Sequence, residues 1–219
     1  EVIFSEYDIP FFMDRKVNIT NHPLIRLILA MLEIFNENWS YEAVFRYLKT
    51  GLSGIDRDSI DKLENYVLAC GVRGSRWTKE EDWRMSTDLL ADEKDLEKLV
   101  GFLLEINGVR VAVSGPLLEF RKKTKGKRKA SEICTALYDF LCEIGVPERI
   151  AGHIEQFKLN GELSLAEEYS QVWNTVMEFL DQVVEVMGDE TFGLERFSNI
   201  CEVGLAEYKI GLIPASLDQ

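Results

Sequence analysis

The chain has 219 residues, of which 46% are hydrophobic and 29% are charged. This composition is typical of a folded chain with a sizeable core, and it excludes a disordered chain, which would be poorer in aromatic and branched apolar side chains. The net charge of −13 argues against a general nucleic-acid-binding surface, because duplex phosphate is normally bound by a cationic face.

The sequence predicts neither a signal peptide nor a membrane span. The run that starts at Glu1 lacks the basic start and the cleavage site of a signal peptide, so we expect that the natural N-terminus lies upstream. The longest apolar stretch, 24–35, contains Arg26 and Glu33 and is shorter than the roughly 20 residues that a membrane span requires. We expect a cytoplasmic protein without a membrane partner.

In the first half of the chain, apolar residues recur at steps of three and four, which predicts a mainly α fold. The first helix is expected over 23–35, with Pro23 in its first turn, and the second follows Ser40 as a cap and stops at Gly51. A third is expected over 59–70, with Cys70 on its buried face. The segment 71–87 is less regular and is predicted to be a structured loop.

In the second half, helices are expected over 92–106 and 116–123. The segment 107–115 stays open between helix and strand, because Val109, Val111 and Val113 alternate as in a strand while both neighbours are helical. Further helices are expected over 130–144, 147–157, 165–187 and 194–205. The helix over 165–187 has the broadest apolar face, so we expect it to be the central helix.

A run of positive charge is the first candidate functional feature. Seven of the nine residues in 121–129, here called the basic segment, are cationic, and we expect them on a flexible loop. Such a loop could contact the backbone of DNA, or it could be a solvated loop without a ligand. Its cations are Arg121, Lys122, Lys123, Lys125, Lys127, Arg128 and Lys129.

A second, weaker nucleic-acid candidate is the group Arg73, Arg76 and Trp77. The indole of Trp77 could stack on a base, although packing of this ring in the core or against a partner is the alternative.

Signatures of catalysis and of metal binding are missing from the sequence. It contains no phosphate-binding loop, dinucleotide fingerprint, nucleophile elbow or zinc-protease motif. His22 and His153 are expected to cap or pack. Cys70, Cys134, Cys142 and Cys201 do not follow any zinc spacing and are expected to be buried thiols. We therefore predict that no catalytic residue, metal ligand or cofactor site lies in this segment.

The two ends of the chain differ from its helical middle. Short apolar runs at 9–14 and 210–214 could each be a strand of a sheet whose other strands are absent. This pattern favours a helical insertion between two pieces of one α/β domain.

Several strings resemble the B subunit of the bacterial AddAB-type (AddB/RexB) ATP-dependent helicase-nuclease. They are IPFFMD at 9–14, HPL at 22–24, YEAVFRYLKTGL at 41–52, LENYVL at 63–68 and IGLIPASLDQ at 210–219. The resemblance implies an accessory, 2B-type subdomain of a superfamily 1 helicase-like protein. It would be flanked by short remnants of a RecA-like α/β domain, with limits at 1–20, 21–190 and 191–219.

The resemblance also implies a role in double-strand break repair, with DNA and the A subunit of the helicase-nuclease as partners. ATP, Mg²⁺ and an iron-sulfur cluster would be bound outside these residues, and the parent protein would be an ATP-dependent exodeoxyribonuclease and helicase subunit. The chain itself is then a non-catalytic structural, subunit-contacting or DNA-contacting subdomain. The alternative is an independent helical protein-interaction module without a nucleic-acid role.

Overall fold

The computed structural model describes residues 15–85 and 93–212, and side chains over 19–85 and 95–208. These residues form eight α-helices and four short strands, so the predicted mainly α fold is confirmed. The helices are α1 Pro23–Asn36, α2 Tyr41–Leu48, α3 Arg57–Cys70, α4 Glu93–Lys123, α5 Ala130–Glu143, α6 Val146–Leu159, α7 Leu163–Met187 and α8 Leu194–Glu207. The strands are β1 Arg15–Asn18, β2 Arg128–Lys129, β3 Thr191–Phe192 and β4 Lys209–Leu212.

Helix boundaries follow the capping residues of the sequence. The hydroxyl of Ser40 accepts a hydrogen bond from Ala43 N at 3.2 Å and starts α2, as predicted. The carboxylate of Asp56 accepts one from Ser59 N at 2.9 Å and starts α3 two residues earlier than expected. Gly71 ends α3 in the left-handed conformation, at φ 58°.

The segment 107–115 is helical, and α4 runs through it as one helix of 31 residues. The alternation of Val109, Val111 and Val113 gave a misleading strand signal, because Val111 is exposed while Val113 is buried at helical spacing with Ile106. Pro116 lies inside the helix, where it removes one backbone donor and crowds the preceding turn, yet α4 continues through it to Lys123.

The most completely buried helix is α1, whereas the helix over 165–187, here α7, packs against three other helices, α5, α6 and α8. Eight of the fourteen residues of α1 are buried, and α2 and α8 pack against it. One side of α7 reaches solvent instead, where Val184 and Val186 are exposed.

The apolar residues of α8, among them Phe197, Cys201 and Leu205, join the same hydrophobic core as α1. Cys134 in α5 is also buried there, whereas Cys70 and Cys142 are only half-buried. Burial in apolar surroundings raises the pKa of the Cys134 thiol to about 12, because it disfavours the thiolate. All four cysteines are free thiols.

Two small antiparallel sheets lie at different places in the fold. The strand β2 pairs with β3, with Arg128 opposite Phe192. The strand β1 pairs with β4, with Arg15 opposite Leu212 and Asn18 opposite Lys209. The helical region between Asn18 and Lys209 therefore starts and finishes on neighbouring strands. The predicted strand at 9–14 and the end of the one at 210–214 lie outside the described residues.

Candidate nucleic-acid-binding surface

The basic segment is built from three elements: the last turn of a helix, a turn and a short strand. Arg121, Lys122 and Lys123 form the last turn of α4. The side chain of Thr124 is buried and donates a hydrogen bond to Phe120 O at 2.9 Å, which closes this helix end. A turn at Gly126, with φ 79°, then leads into β2, which contains Arg128 and Lys129.

Hydrogen bonds fix both sides of this turn to the helical core. The hydroxyl of Ser131 donates to Gly188 O at 3.0 Å, and Ala130 N donates to Glu190 O at 2.9 Å. The start of α5 is thereby held against the end of α7, and β2 is held beside β3. The basic segment is thus presented on an ordered support.

Several of the seven cations are paired with carboxylates. Lys123 Nζ lies 2.9 Å from Asp139 Oδ2, and Lys129 Nζ lies 2.8 Å from Asp189 Oδ1. Both carboxylates raise the pKa of their lysine partners, chiefly through the hydrogen bond. Lys122 lies 3.7 Å from Glu119, which is a looser pair at the surface. These contacts lower the positive charge available to a ligand.

The other four cations make no ion pair within the part of the chain that the structure describes. Arg121 lies over the ring of Phe35, with 5.8 Å between its guanidinium carbon and the ring centroid. Lys125, Lys127 and Arg128 are exposed in the turn and at the start of β2. Flexible cations on a projecting turn can contact phosphates without reading sequence, because such contacts act through charge.

The second candidate group is not a stacking surface. Trp77 is 1% exposed, and its ring packs against Trp39 and Trp83, so it cannot stack on a base in this conformation. Arg76 Nη1 donates to Cys70 O at 2.8 Å and satisfies a carbonyl at the end of α3. Arg73 remains exposed. Of the two alternatives for Trp77, packing of the ring in the core is therefore the one that the structure supports.

Two buried polar residues of α4, neither of them predicted from the sequence, hold the loop that carries Trp77. The Asn107 side chain accepts from Trp83 N at 2.8 Å and donates to Trp83 O at 3.1 Å. Arg110 is 3% exposed and donates to the carbonyls of Lys79 and Glu81 at 2.8 and 3.0 Å. Their only signal in the sequence is a polar residue inside an apolar helix.

The two histidines pack and cap, as predicted. His22 Nδ1 accepts from Leu24 N at 3.1 Å and caps α1, and its ring lies 4.4 Å from that of Tyr169. Burial, and to a lesser degree the charge of His153, lower the pKa of His22 to about 4. His153 packs against Tyr169 and Phe157. Neither ring is placed to act on a nucleophile.

The described residues also bring together no group of three or more His, Cys, Asp or Glu side chains that could hold a metal ion. A cleft of about 800 Å³ lies between the start of α2 and the end of α3, lined by Glu37, Glu42, Leu68 and Arg73 among others. Its charges are mixed, so its lining indicates no single ligand class.

These features define a helical domain with an ordered cationic turn. No protein-family model matches the chain. The B subunit of the ATP-dependent helicase/deoxyribonuclease of Acetivibrio thermocellus is 65% identical over 219 residues, and that of Ruminiclostridium cellulolyticum is 58% identical over 218. Both alignments include 100% of this chain, but they span 19% of each relative. By this similarity the chain corresponds to a segment of the ATP-dependent helicase/deoxyribonuclease B subunits.

Proposed function

We propose that the chain is a non-catalytic helical subdomain of a helicase-nuclease B subunit, and that its basic segment contacts DNA. The parent complex would process DNA ends in double-strand break repair, in the cytoplasm and together with an A subunit. The names of the bacterial relatives support helicase and deoxyribonuclease activity for those proteins. ATP, Mg²⁺ and the iron-sulfur cluster would be held elsewhere in the longer polypeptide.

The pairing of β1 with β4 supports an insertion of the accessory, 2B type. A segment inserted into a RecA-like domain has to leave that domain and return to it at nearby points. The antiparallel pair places Asn18 opposite Lys209, so the strand that enters the helical region and the strand that leaves it lie side by side and run in opposite directions. We propose that the segments 1–20 and 191–219 flank a helical unit over 21–190. Because α8 packs on α1, we extend the helical unit in this proposal to residue 207.

The exposed cations at the turn carry the proposal of DNA contact. The chain has a net charge of −13, yet Lys125, Lys127 and Arg128 are exposed at one ordered turn without carboxylate partners among the described residues. Each phosphate contact would release counterions and add affinity that depends on salt. An independent interaction module is less favoured, because the sequence identity extends along the whole chain to the helicase/deoxyribonuclease subunits.

The test is charge reversal in the assembled two-subunit complex. We expect the double variant Lys125→Glu/Lys127→Glu to weaken binding to a DNA end and to lower the slope of log affinity against log salt by up to about 2, because each phosphate contact contributes about 0.9 for a duplex. Fluorescence anisotropy over a salt series measures both quantities.

The matched control is Arg57→Glu/Lys158→Glu, which reverses two exposed cations on α3 and α6 and should leave the slope unchanged. If the turn variant and the control bind DNA equally at every salt concentration, the basic segment does not contact DNA.

A further inference from the structure

The solvent face of α4 carries a regular pattern that the proposed function does not use. Along this face, glycine alternates with a large apolar residue at steps of three and four. The six positions, here called the heptad seam, are Gly101, Leu104, Gly108, Val111, Gly115 and Leu118. Each residue type repeats every seven positions, which is the spacing of a helix that packs along another helix.

Five of the six positions of the heptad seam are exposed in this structure, and Gly115 is half-buried. Leu104 is 68% exposed and Val111 is 57% exposed. A Cβ atom added at any of the three glycines would meet nothing within 4 Å. The opposite side of α4 is buried against the core through Ile106, Val113, Leu117 and Phe120. The helix is therefore apolar on two sides, and the core explains only one of them.

The exposed side of α4 is not a charged, solvated helix face either. Between 99 and 118 the helix contains two charged residues, Glu105 and Arg110. Glu105 forms an ion pair with Lys62 at 2.6 Å, and Arg110 is buried under the loop after α3. A solvated helix face normally carries charged and polar side chains. The seam instead has the composition of an interface.

A lipid bilayer fits this surface poorly. By length and composition, one helix of the described residues, Asp95–Lys123, could cross a membrane. Its other side, however, packs against α3 and α5 and places the guanidinium of Arg110 against backbone carbonyls. A regular row of glycines and large apolar residues favours a protein helix as the neighbour, because glycines admit the side chains of a closely packed helix.

We propose that the heptad seam is a docking surface for a second α-helix, with large apolar residues at heptad spacing, from another part of the same B-subunit polypeptide. The large residues of that helix would fill the spaces over Gly101, Gly108 and Gly115, and Leu104, Val111 and Leu118 would pack between its turns. This inference rests on the proposed placement of the chain within a longer subunit, and it is independent of the DNA contact.

Two observations select this occupant over a second copy of the chain. The chain spans 19% of the length of its relatives, so about four-fifths of such a polypeptide lies outside it and could supply the helix. A stable complex between separate chains usually uses about 20–30 residues a side, and a seam of six positions falls well short of that. A covalently linked helix needs less contact area, because its effective concentration is high.

Photo-crosslinking in the full-length B subunit tests the proposal. A photoreactive amino acid replaces Leu104 or Val111, and a control replaces Leu159, which is 83% exposed at the end of α6. Mass spectrometry should find that both seam positions crosslink to one helix of the same polypeptide and that the control does not. Crosslinks only between two copies, crosslinks only to the A subunit, or yields no higher than the control would each overturn the proposal.

A second pair of variants tests the fit at the glycines. Gly108→Leu should abolish the crosslink from Val111 and should lower the Tm of the full-length protein by several degrees, because the new side chain occupies the space of the docked helix. Gly152→Leu places the same side chain at an exposed glycine of α6 with similar open space, so it should leave the crosslink unchanged and should not lower the Tm. Equal behaviour of the two variants would contradict a helix on the seam. Neither readout depends on DNA affinity.

Discussion

At the residue scale, single side chains at helix ends explain several local features of the fold. His22 starts α1 by accepting from Leu24 N, and it does so while 3% exposed. Its Nδ1 must be unprotonated to accept this bond. Because burial also disfavours the charged ring, the pKa of His22 falls to about 4. The cap of α1 is therefore sensitive to acid.

The substitution His22→Asn should reduce the acid sensitivity of the chain. An unfolded histidine has a pKa of about 6.5, so below that pH the unfolded state binds a proton that the folded state does not. The free energy of unfolding should fall as the pH drops from about 6.5 to 4, by up to about 3 kcal/mol from this group. Asn keeps a capping oxygen and removes the titration.

Urea denaturation of both proteins at pH 7 and pH 4.5 measures this difference. The carboxylates common to both contribute equally, so the loss of stability on acidification should be smaller in the variant. Equal losses would show that His22 does not couple acid to unfolding.

At the element scale, helix packing depends on positions where one helix comes close to another. Gly204 of α8 faces the Phe179 ring of α7, and a Cβ atom there would lie 2.4 Å from the ring. The absence of a side chain is therefore what permits this approach of α8 to α7. Gly152, on the exposed side of α6, faces open space.

The substitution Gly204→Ala should destabilise the chain by about 1–3 kcal/mol, because an aromatic ring in the core must move to admit the methyl group. Gly152→Ala should stabilise it by about 0.5–1 kcal/mol, because alanine is the better helix former and nothing obstructs it. Thermal denaturation of the two variants beside the unsubstituted chain checks both signs. A neutral or positive effect at Gly204 would mean that α7 and α8 are not this close.

At the scale of the whole molecule, the eight helices lie between two strands that pair with each other. Because Asn18 is opposite Lys209, a two-residue β-turn could connect β1 directly to β4. An insertion can be removed at such a point without changing the path of the remaining chain. The proposed architecture therefore makes a prediction about the full-length protein.

Removal of 19–208 and connection of Asn18 to Lys209 by Asn-Gly should leave a B subunit that folds. Its Tm should fall, because the helix that docks on the heptad seam would lose its cover, but cooperative unfolding should persist. Differential scanning calorimetry and limited proteolysis measure this. A control that removes 72–160 instead cuts through the helical core and should not fold. If the first deletion also yields an unfolded protein, the helical region is not an insertion.

The sequence by itself predicted the helices that have clear caps and periodic apolar faces. Ser40 and Gly71 marked helix ends that the structure confirms, because a capping hydroxyl and a left-handed glycine act within a few residues. The seven cations of the basic segment could also be read directly from the sequence. Their ion pairs could not be predicted, because Asp139 and Asp189, which pair with Lys123 and Lys129, are distant in sequence.

Tertiary structure alone decided which surfaces are buried. It placed Trp77 in the core, made 107–115 helical and buried α1 more completely than α7. The seven-residue spacing of glycine in α4 is visible in the sequence, but its exposure follows only from the packing of the opposite face. Caps and periodicity act over one or two turns, whereas burial is set by neighbours from anywhere in the chain.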